Sequence, residues 1–251
     1  MKHTIDRPNK RRKGAIQNRL RQTEFMILDI LATNPRITAY QIETKTGLAH
    51  STVDIWLRRV IIDKQHYMRD NMVGNGLVTI YSEKKWRNTG YKRKEYMLTF
   101  KGLLDYFSFG KAGKNIASTI KNYKDSHVLF QHWTELEKSI KFNPNPKASG
   151  SFYGGLNGIL FSVSNLTYHS PLSMDMPKAF IADYPLADLG YEGLFSFYFL
   201  GFLCGLKENG WISIEEHLPK LGLLLKPVVE KLSALSVRIG GFVEDLSGTR
   251  T

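Results

Sequence analysis

The side chains with the clearest recognition chemistry lie between residues 50 and 58. His50, Ser51 and Thr52 place an imidazole and two hydroxyls at consecutive positions, and Arg58 adds a guanidinium shortly afterwards. Hydroxyls can hydrogen-bond to base edges or phosphates, and a guanidinium can donate two parallel hydrogen bonds to a guanine. Ser51 also suits the N-cap of a helix, which would be a purely structural role. These four residues are therefore candidates for contact with nucleic acid.

The elements that must position these side chains are two short helices. The pattern over residues 38–60 predicts one helix capped by Thr38, a tight turn at Gly47 and a second helix over about residues 50–62. Apolar spacing would extend this second helix to about residue 71. Ser51 and Arg58 lie opposite an apolar stripe made of Val53, Trp56, Leu57, Val60 and Ile61, and Thr52 lies on its flank. This is the outline of a helix-turn-helix, whose second helix can enter a DNA major groove.

A basic β-hairpin is predicted after this segment. Residues 77–84 and 91–100 have the β-branched and aromatic content of strands and flank a polar tip. The hairpin carries six cations, namely Lys84, Lys85, Arg87, Lys92, Arg93 and Lys94. We expect them to contact phosphates, although six cations on a solvated hairpin would also serve solubility alone. Arg59 is expected to lie close to the same phosphate backbone.

The N-terminal segment is more basic still. Residues 1–21 contain eight Lys or Arg residues against Asp6 alone, and too few apolar residues to fold by themselves. We expect a disordered arm that follows phosphates or enters the minor groove through Lys10, Arg11, Arg12 and Lys13. The alternative is a solvated tail without a binding role. A helix is predicted to begin after the arm, with Thr23 as its N-cap.

The charge of the chain is unevenly distributed along it. The net charge is +12 and the pI is near 9.6, which favours an acidic partner. Residues 1–110 hold 21 Lys and Arg against 10 Asp and Glu, whereas residues 111–251 hold 14 against 13. The imbalance predicts a nucleic-acid-binding half joined to a neutral half. We therefore expect an arm over residues 1–21, a DNA-binding domain over 22–110, and a mostly helical dimerisation or effector domain over 111–251.

Residues 23–107 resemble a winged helix-turn-helix domain of the prokaryotic transcription-regulator type, bacterial or archaeal. The resemblance lies in GLAHSTVDIWLRRV for the recognition helix, GNGLVTIYSEK for the first wing strand, and EYMLTFKGL for the return strand and following helix. It implies that Gly47 takes the turn position and that Ile42, Leu48, Val53 and Trp56 are buried. The expected fold class is therefore mainly α with a small β-wing over residues 84–94.

Catalytic, metal-binding and membrane signals are weak in this sequence. Gly150–Gly155 lacks the lysine of a P-loop, and no Ser, His and Asp residues stand at a recognisable spacing. Cys204 is the single cysteine, which rules out an internal disulfide and a four-cysteine zinc site. The longest apolar run, residues 194–206, has 13 residues, short of the roughly 20 that span a bilayer. We expect no enzyme activity, no cofactor or metal, no membrane partner, and a cytoplasmic location.

Three functions remain open. The first is a transcriptional regulator that binds double-stranded DNA as a homodimer, with an unknown effector at its C-terminal half. The second is a plasmid replication, partition or chromatin-type protein that binds DNA with little sequence preference. The third is a protein-interaction module, in which the same fold docks an acidic partner through its basic face.

Overall fold

The computed structural model describes residues 10–58, 61–62, 68–69, 71–85, 92–109, 114–143, 155–170, 189–230 and 237–249. The chain is mainly helical, with small antiparallel sheets. It divides into two compact units. The first contains residues 1–75 and 80–97, and the second contains residues 76–79 and 98–251.

The first unit begins with a long helix, α1, which runs from Lys10 to Thr33. The predicted helix start at Thr23 is therefore wrong, and residues 10–21 are helical rather than a disordered arm. Lys, Arg, Ala, Gln and Leu dominate this stretch, and all have high helix propensity, which favours extending the helix upstream. Its later turns are buried through Ile27, Leu28, Leu31 and Ala32.

A short strand and a second helix follow α1. Strand β1 spans Ile37–Thr38, and α2 spans Ala39–Thr46. Thr38 and Gln41 form a capping box, because the Thr38 hydroxyl accepts a hydrogen bond from the Gln41 N–H while the Gln41 side chain accepts one from the Thr38 N–H. Gly47 ends the helix in the left-handed conformation at φ 70°, where a residue without Cβ is favoured. The predicted turn at Gly47 is confirmed.

The third helix, α3, spans His50–Arg58 and is shorter than predicted. The helix ends at Arg58. The carbonyls of Trp56 and Leu57 in its last turn accept hydrogen bonds from the N–H groups of Met72 and Val73. Residues further along form two short antiparallel strands, β2 (Ile61–Ile62) and β3 (Met68–Arg69). A helix over residues 50–62, or as far as 71, is therefore wrong. The predicted burial of Val53, Trp56 and Leu57 is confirmed.

The basic hairpin is present where the sequence predicts it. Strand β4 spans Val78–Lys85 and strand β5 spans Lys92–Leu98. Together with β1 they form an antiparallel sheet in the order β1-β5-β4. Ile37 pairs with Tyr96 and Thr38 pairs with Glu95, so the start of α2 lies beside β5.

The second unit begins at the end of β5 and is mostly helical. Its elements are α4 (Phe100–Ser108), α5 (Ile116–Asn122), α6 (Val128–Gln131), α7 (Trp133–Ser139), β6 (Ile140–Phe142), α8 (Leu156–Tyr168), α9 (Gly190–Glu208), β7 (Ile212–Ile214), α10 (Pro219–Glu230) and α11 (Val237–Ser247). Strands β6 and β7 pair antiparallel. Helix α9 lies in the core through Leu194, Phe195, Phe199, Leu200 and Leu203.

Helix α4 belongs to this second unit rather than to the first. Leu103, Leu104 and Phe107 are buried, and the helix packs on α8. At Gly102 the helix lies against the backbone of Leu77. A Cβ added at residue 102 would lie 2.0 Å from the Leu77 carbonyl oxygen. The predicted domain boundary at residue 110 therefore comes one helix too late, because the buried face of α4 finds its partner later in the chain.

Candidate nucleic-acid interface

One groove of the first unit is lined by four cations, namely Arg58, Lys92, Arg93 and Lys94. The groove has a volume of about 580 Å³ and is lined by Thr38, Ala39, Tyr40, Gln41, Arg58, Lys92, Arg93, Lys94 and Tyr96. The pairing of β1 with β5 brings these residues together, because it sets the first turn of α2 next to residues 94–96. Lys92, Lys94 and Tyr96 are alternate residues of β5 and so share one face of the strand.

Each groove cation already has a partner in the protein. The Arg58 Nη2 atom lies 2.6 Å from the Asp54 carboxylate one helical turn earlier. Glu83 on β4 holds Lys94 at 3.0 Å and Lys92 at 3.3 Å, and these two hydrogen bonds lower the pKa of Glu83. Ion pairs that are partly exposed to solvent are worth only about 0–1 kcal/mol, so Arg58, Lys92 and Lys94 can exchange these partners for a ligand anion.

Two kinds of unused hydrogen-bond donor also lie at the groove. The capping box of α2 uses the N–H groups of Thr38 and Gln41, and the N–H group of Tyr40 has no hydrogen-bond partner among the described residues. Tyr96 is 1% exposed, and its hydroxyl has no hydrogen-bond partner there either. Burial raises the pKa of Tyr96, so its hydroxyl keeps its proton and remains a donor.

The start of α3 presents a second set of polar side chains. Ser51 is exposed and lies inside the first turn, because α3 begins at His50. Ser51 is therefore not the N-cap, and the purely structural role suggested by the sequence does not apply. His50 is also exposed, and its Nδ1 atom lies 2.6 Å from a Glu43 carboxylate oxygen. Thr52 is half-buried.

Arg58 is separated from these three residues by the length of α3. At 1.5 Å per residue, the ends of the helix are about 12 Å apart. The structure places Arg58 with the lysines of β5 rather than with His50, Ser51 and Thr52. The predicted contact residues therefore form two groups, one at each end of α3.

The remaining predicted contact residues have different placements. Lys84 and Lys85 are exposed at the end of β4. Lys10, Arg11, Arg12 and Lys13 form the first turn of α1, and their side chains lie outside the described residues. Arg59 and Arg87 also lie outside them.

The sequence did not single out several groove residues. Thr38 was predicted only as a helix cap, and Tyr40, Gln41 and Tyr96 were not predicted to line a site. Tyr40 is 73% exposed, which is unusual for a large aromatic side chain. The signal available was the alternation of Lys92, Lys94 and Tyr96 in one strand, which predicts a shared face but not what that face meets.

The second unit contains a histidine and a serine in contact. The Nε2 atom of buried His127 lies 3.0 Å from the Ser196 hydroxyl and 3.1 Å from the Glu192 carbonyl oxygen. Its Nδ1 atom accepts a hydrogen bond from the Leu129 N–H, so the proton of the neutral ring sits on Nε2. A nitrogen that carries the proton cannot take one from Ser196. The ring caps α6 and stacks on Phe100, which is a structural role.

Within the described ranges, His, Cys, Asp and Glu residues form no group of three or more that could hold a metal ion. No helix among the described residues has the length and apolar character needed to cross a membrane. No family model matches the chain, and comparisons with curated proteins and with solved structures find no match.

Proposed function

We propose that this protein is a DNA-binding transcriptional regulator whose first unit is a winged helix-turn-helix. The observation that carries the proposal is the convergence of Arg58, Lys92, Arg93 and Lys94 on one groove beside the start of α2. Four cations at one groove create a local potential that attracts the phosphates of a duplex.

The order of elements supports this proposal. The first unit runs α1-β1-α2-α3 and then, after β2 and β3, continues into the hairpin of β4 and β5. Its sheet joins β1 to the hairpin. A helix pair with a glycine turn, followed by a basic hairpin, fits a helix-turn-helix with a wing. The short β2 and β3 pair accounts for the long spacing between α3 and the hairpin.

The two groups of contact residues suggest two different roles. Residues near the N-terminus of a recognition helix contact base edges, so we assign base reading to His50, Ser51 and Thr52. Arg58 sits among the lysines of β5 and is paired with Asp54, so we assign it to the phosphate backbone rather than to a guanine. Phosphate contacts position the protein without reading sequence.

Selection of bound duplexes from a random pool tests the proposal. Ser51→Ala should weaken binding to the selected duplex by about tenfold and leave binding to random duplexes nearly unchanged, because a base contact contributes about 1–3 kcal/mol. Arg58→Ala should weaken binding to both duplexes alike and reduce the salt dependence by about one released ion. Lys138→Ala, at an exposed position of α7, is the control that should leave both affinities unchanged.

Three results would contradict parts of this proposal. Absence of duplex binding at low salt would overturn it and leave the protein-interaction function. Duplex binding without an enriched sequence would favour the architectural function. A selective effect of Arg58→Ala on the chosen duplex would return Arg58 to base reading.

The same proposal includes a homodimer formed through the second unit, acting in the cytoplasm. Leu223 and Leu224 on α10 are 70% and 45% exposed. Contiguous exposed apolar surface can mark a protein–protein interface, and these two leucines are adjacent in the sequence. Light scattering of the full chain measures this directly, since a dimer would have twice the 28.7 kDa mass of the chain. A mass equal to that of one chain would exclude it. An effector of the second unit is also part of the proposal, with no ligand class assigned.

A further inference from the structure

The groove between α2, the end of α3 and β5 contains donors that the folded protein does not use. The Tyr96 hydroxyl and the N–H group of Tyr40 have no hydrogen-bond partner among the described residues. Buried polar groups in native proteins are almost always hydrogen-bonded, so an orphaned hydroxyl beside a cationic groove calls for an explanation.

We propose that this groove is a phosphate-binding site, in which one phosphate accepts hydrogen bonds from the Tyr96 hydroxyl and from the first turn of α2 while Arg58 and Lys94 neutralise its charge. The phosphate belongs either to the backbone of bound DNA or to a free mononucleotide. The inference deepens the proposed function and, for the DNA source, rests on it.

The donors match the chemistry of a phosphate. The first turn of a helix presents free N–H groups and the positive end of the helix dipole, which together favour an anion. In α2 the capping box fixes this turn, so the Tyr40 N–H is held in place before a ligand arrives. The non-bridging oxygens of a phosphate, two in a DNA backbone diester and three in a mononucleotide, can each accept more than one hydrogen bond. Either phosphate can therefore satisfy an N–H donor and a hydroxyl at the same time.

The charges around the groove favour an anion. Four cations line it, Asp54 and Glu83 pair with three of them, and Glu95 follows Lys94 on β5, which still leaves an excess of positive charge. Asp54 and Glu83 hold their cations through ion pairs that are partly exposed to solvent. Such pairs are weak, so the long Arg58 and Lys94 side chains can turn from a carboxylate to a phosphate.

Tyr96 closes the inner side of the groove. Both the ring and the hydroxyl of Tyr96 are buried. The charges of Arg58, Asp54 and Glu83 act on the hydroxyl, so it lies near the ion pairs that a bound phosphate would displace. A volume of about 580 Å³ falls within the range of small-ligand sites, so the groove has room for the sugar and base attached to a phosphate.

Tyr96→Phe is the decisive variant, because it removes one oxygen and keeps the ring. Loss of an unpartnered buried hydroxyl should leave the Tm unchanged or raise it, whereas loss of a ligand contact should weaken binding by about three- to tenfold. Tyr81→Phe is the matched control, since Tyr81 lies on β4 beneath Arg36 and outside the groove. Lys94→Gln is a second variant that removes charge and is expected to weaken the same ligands.

Two arms identify the source of the phosphate. Fluorescence anisotropy measures the affinity of the full chain for a short duplex, and the shift of Tm measures binding of thymidine 5′-monophosphate, with thymidine as the uncharged control. If Tyr96→Phe weakens binding of the duplex alone, the phosphate belongs to the DNA backbone. If Tyr96→Phe loses the nucleotide-dependent shift of Tm, the phosphate belongs to a free mononucleotide.

The proposed site and the proposed function can fail separately. If the wild-type chain binds duplex and Tyr96→Phe binds it equally well, with no nucleotide-dependent shift in either protein, the phosphate site is overturned and the DNA-binding function stands. If the wild-type chain binds no duplex but shows a nucleotide-dependent shift that Tyr96→Phe loses, the function is overturned and the site stands. A lower Tm for Tyr96→Phe would show that the hydroxyl stabilises the fold, which would also overturn the site.

Discussion

The buried imidazole of His127 should make the stability of the second unit depend on pH. Burial lowers the pKa of His127 from 6.5 to about 4, although the hydrogen bond to the Glu192 carbonyl opposes this effect. The ring is surrounded by Phe100, Phe130 and Phe195, with ring centroids 4.8, 5.7 and 5.1 Å away. A protonated imidazole would carry its charge into this aromatic cluster and would lose the hydrogen bond that Nδ1 accepts.

The direction and size of the effect follow from linkage. The unfolded chain binds a proton near pH 6.5 and the folded chain only near pH 4, so the unfolded state holds more protons between these values. The contribution of His127 to stability is therefore fully present above pH 6.5 and is lost as the pH falls toward 4. At 1.36 kcal/mol per pKa unit the whole effect is about 3 kcal/mol, and roughly 2 kcal/mol is lost between pH 7.5 and pH 5.

Urea unfolding of the wild type and of His127→Asn, at pH 7.5 and at pH 5, measures this contribution. Asparagine can cap α6 as His127 does, but it does not titrate. His127→Asn should be less stable than the wild type at pH 7.5. On going to pH 5, its free energy of unfolding should fall by about 2 kcal/mol less than that of the wild type, which corresponds to a difference of roughly 1 M in the urea midpoint. His169→Asn, at an exposed position after α8, is the matched control. An equal fall in the free energy of unfolding between pH 7.5 and pH 5 in the wild type and in His127→Asn would refute this role of His127.

Two further predictions concern the framework of the two units. Gly102→Ala should destabilise the second unit by about 3 kcal/mol, because the new Cβ would lie 2.0 Å from the Leu77 carbonyl oxygen and backbone atoms would have to shift. Gly205→Ala, in a helix with no atom within 4 Å of the new Cβ, should instead stabilise by about 0.5–1 kcal/mol in the same thermal unfolding experiment. Thr38→Ala should cost about 1 kcal/mol in urea unfolding by removing the cap of α2, whereas Thr44→Ala in the exposed middle of that helix should cost nothing. If Gly102→Ala and Gly205→Ala changed stability equally, or if Thr38→Ala and Thr44→Ala did so, the local geometry behind that prediction would be contradicted.

Local chemistry allowed parts of the first unit to be predicted from the sequence. Thr38 begins a helix because its hydroxyl can accept from a backbone N–H three residues later, and Gly47 ends it because glycine tolerates a positive φ. The strands of the basic hairpin follow from β-branched and aromatic residues around a polar tip. Each of these features depends on residues only a few positions apart.

Several errors came from contacts between residues far apart in the sequence. The apolar spacing after α3 suggested a longer helix, but the N–H groups of Met72 and Val73 bond to the last turn of α3 and end it at Arg58. The buried face of α4 packs on α8, so the boundary between the units falls before Phe100 instead of at residue 110. A single sequence shows that a face is apolar, but it does not show which later segment covers it.

Composition and local backbone preferences set the charge imbalance, the cap and turn around α2, and the basic hairpin, so these features can be predicted from the sequence. The groove depends on pairing between distant segments of the folded chain. Pairing of Thr38 with Glu95 brings two segments more than fifty residues apart into register. That pairing places Arg58 among the lysines of β5 and buries the Tyr96 hydroxyl without a partner among the described residues. Only the folded chain joins these cations and unused donors in one candidate site.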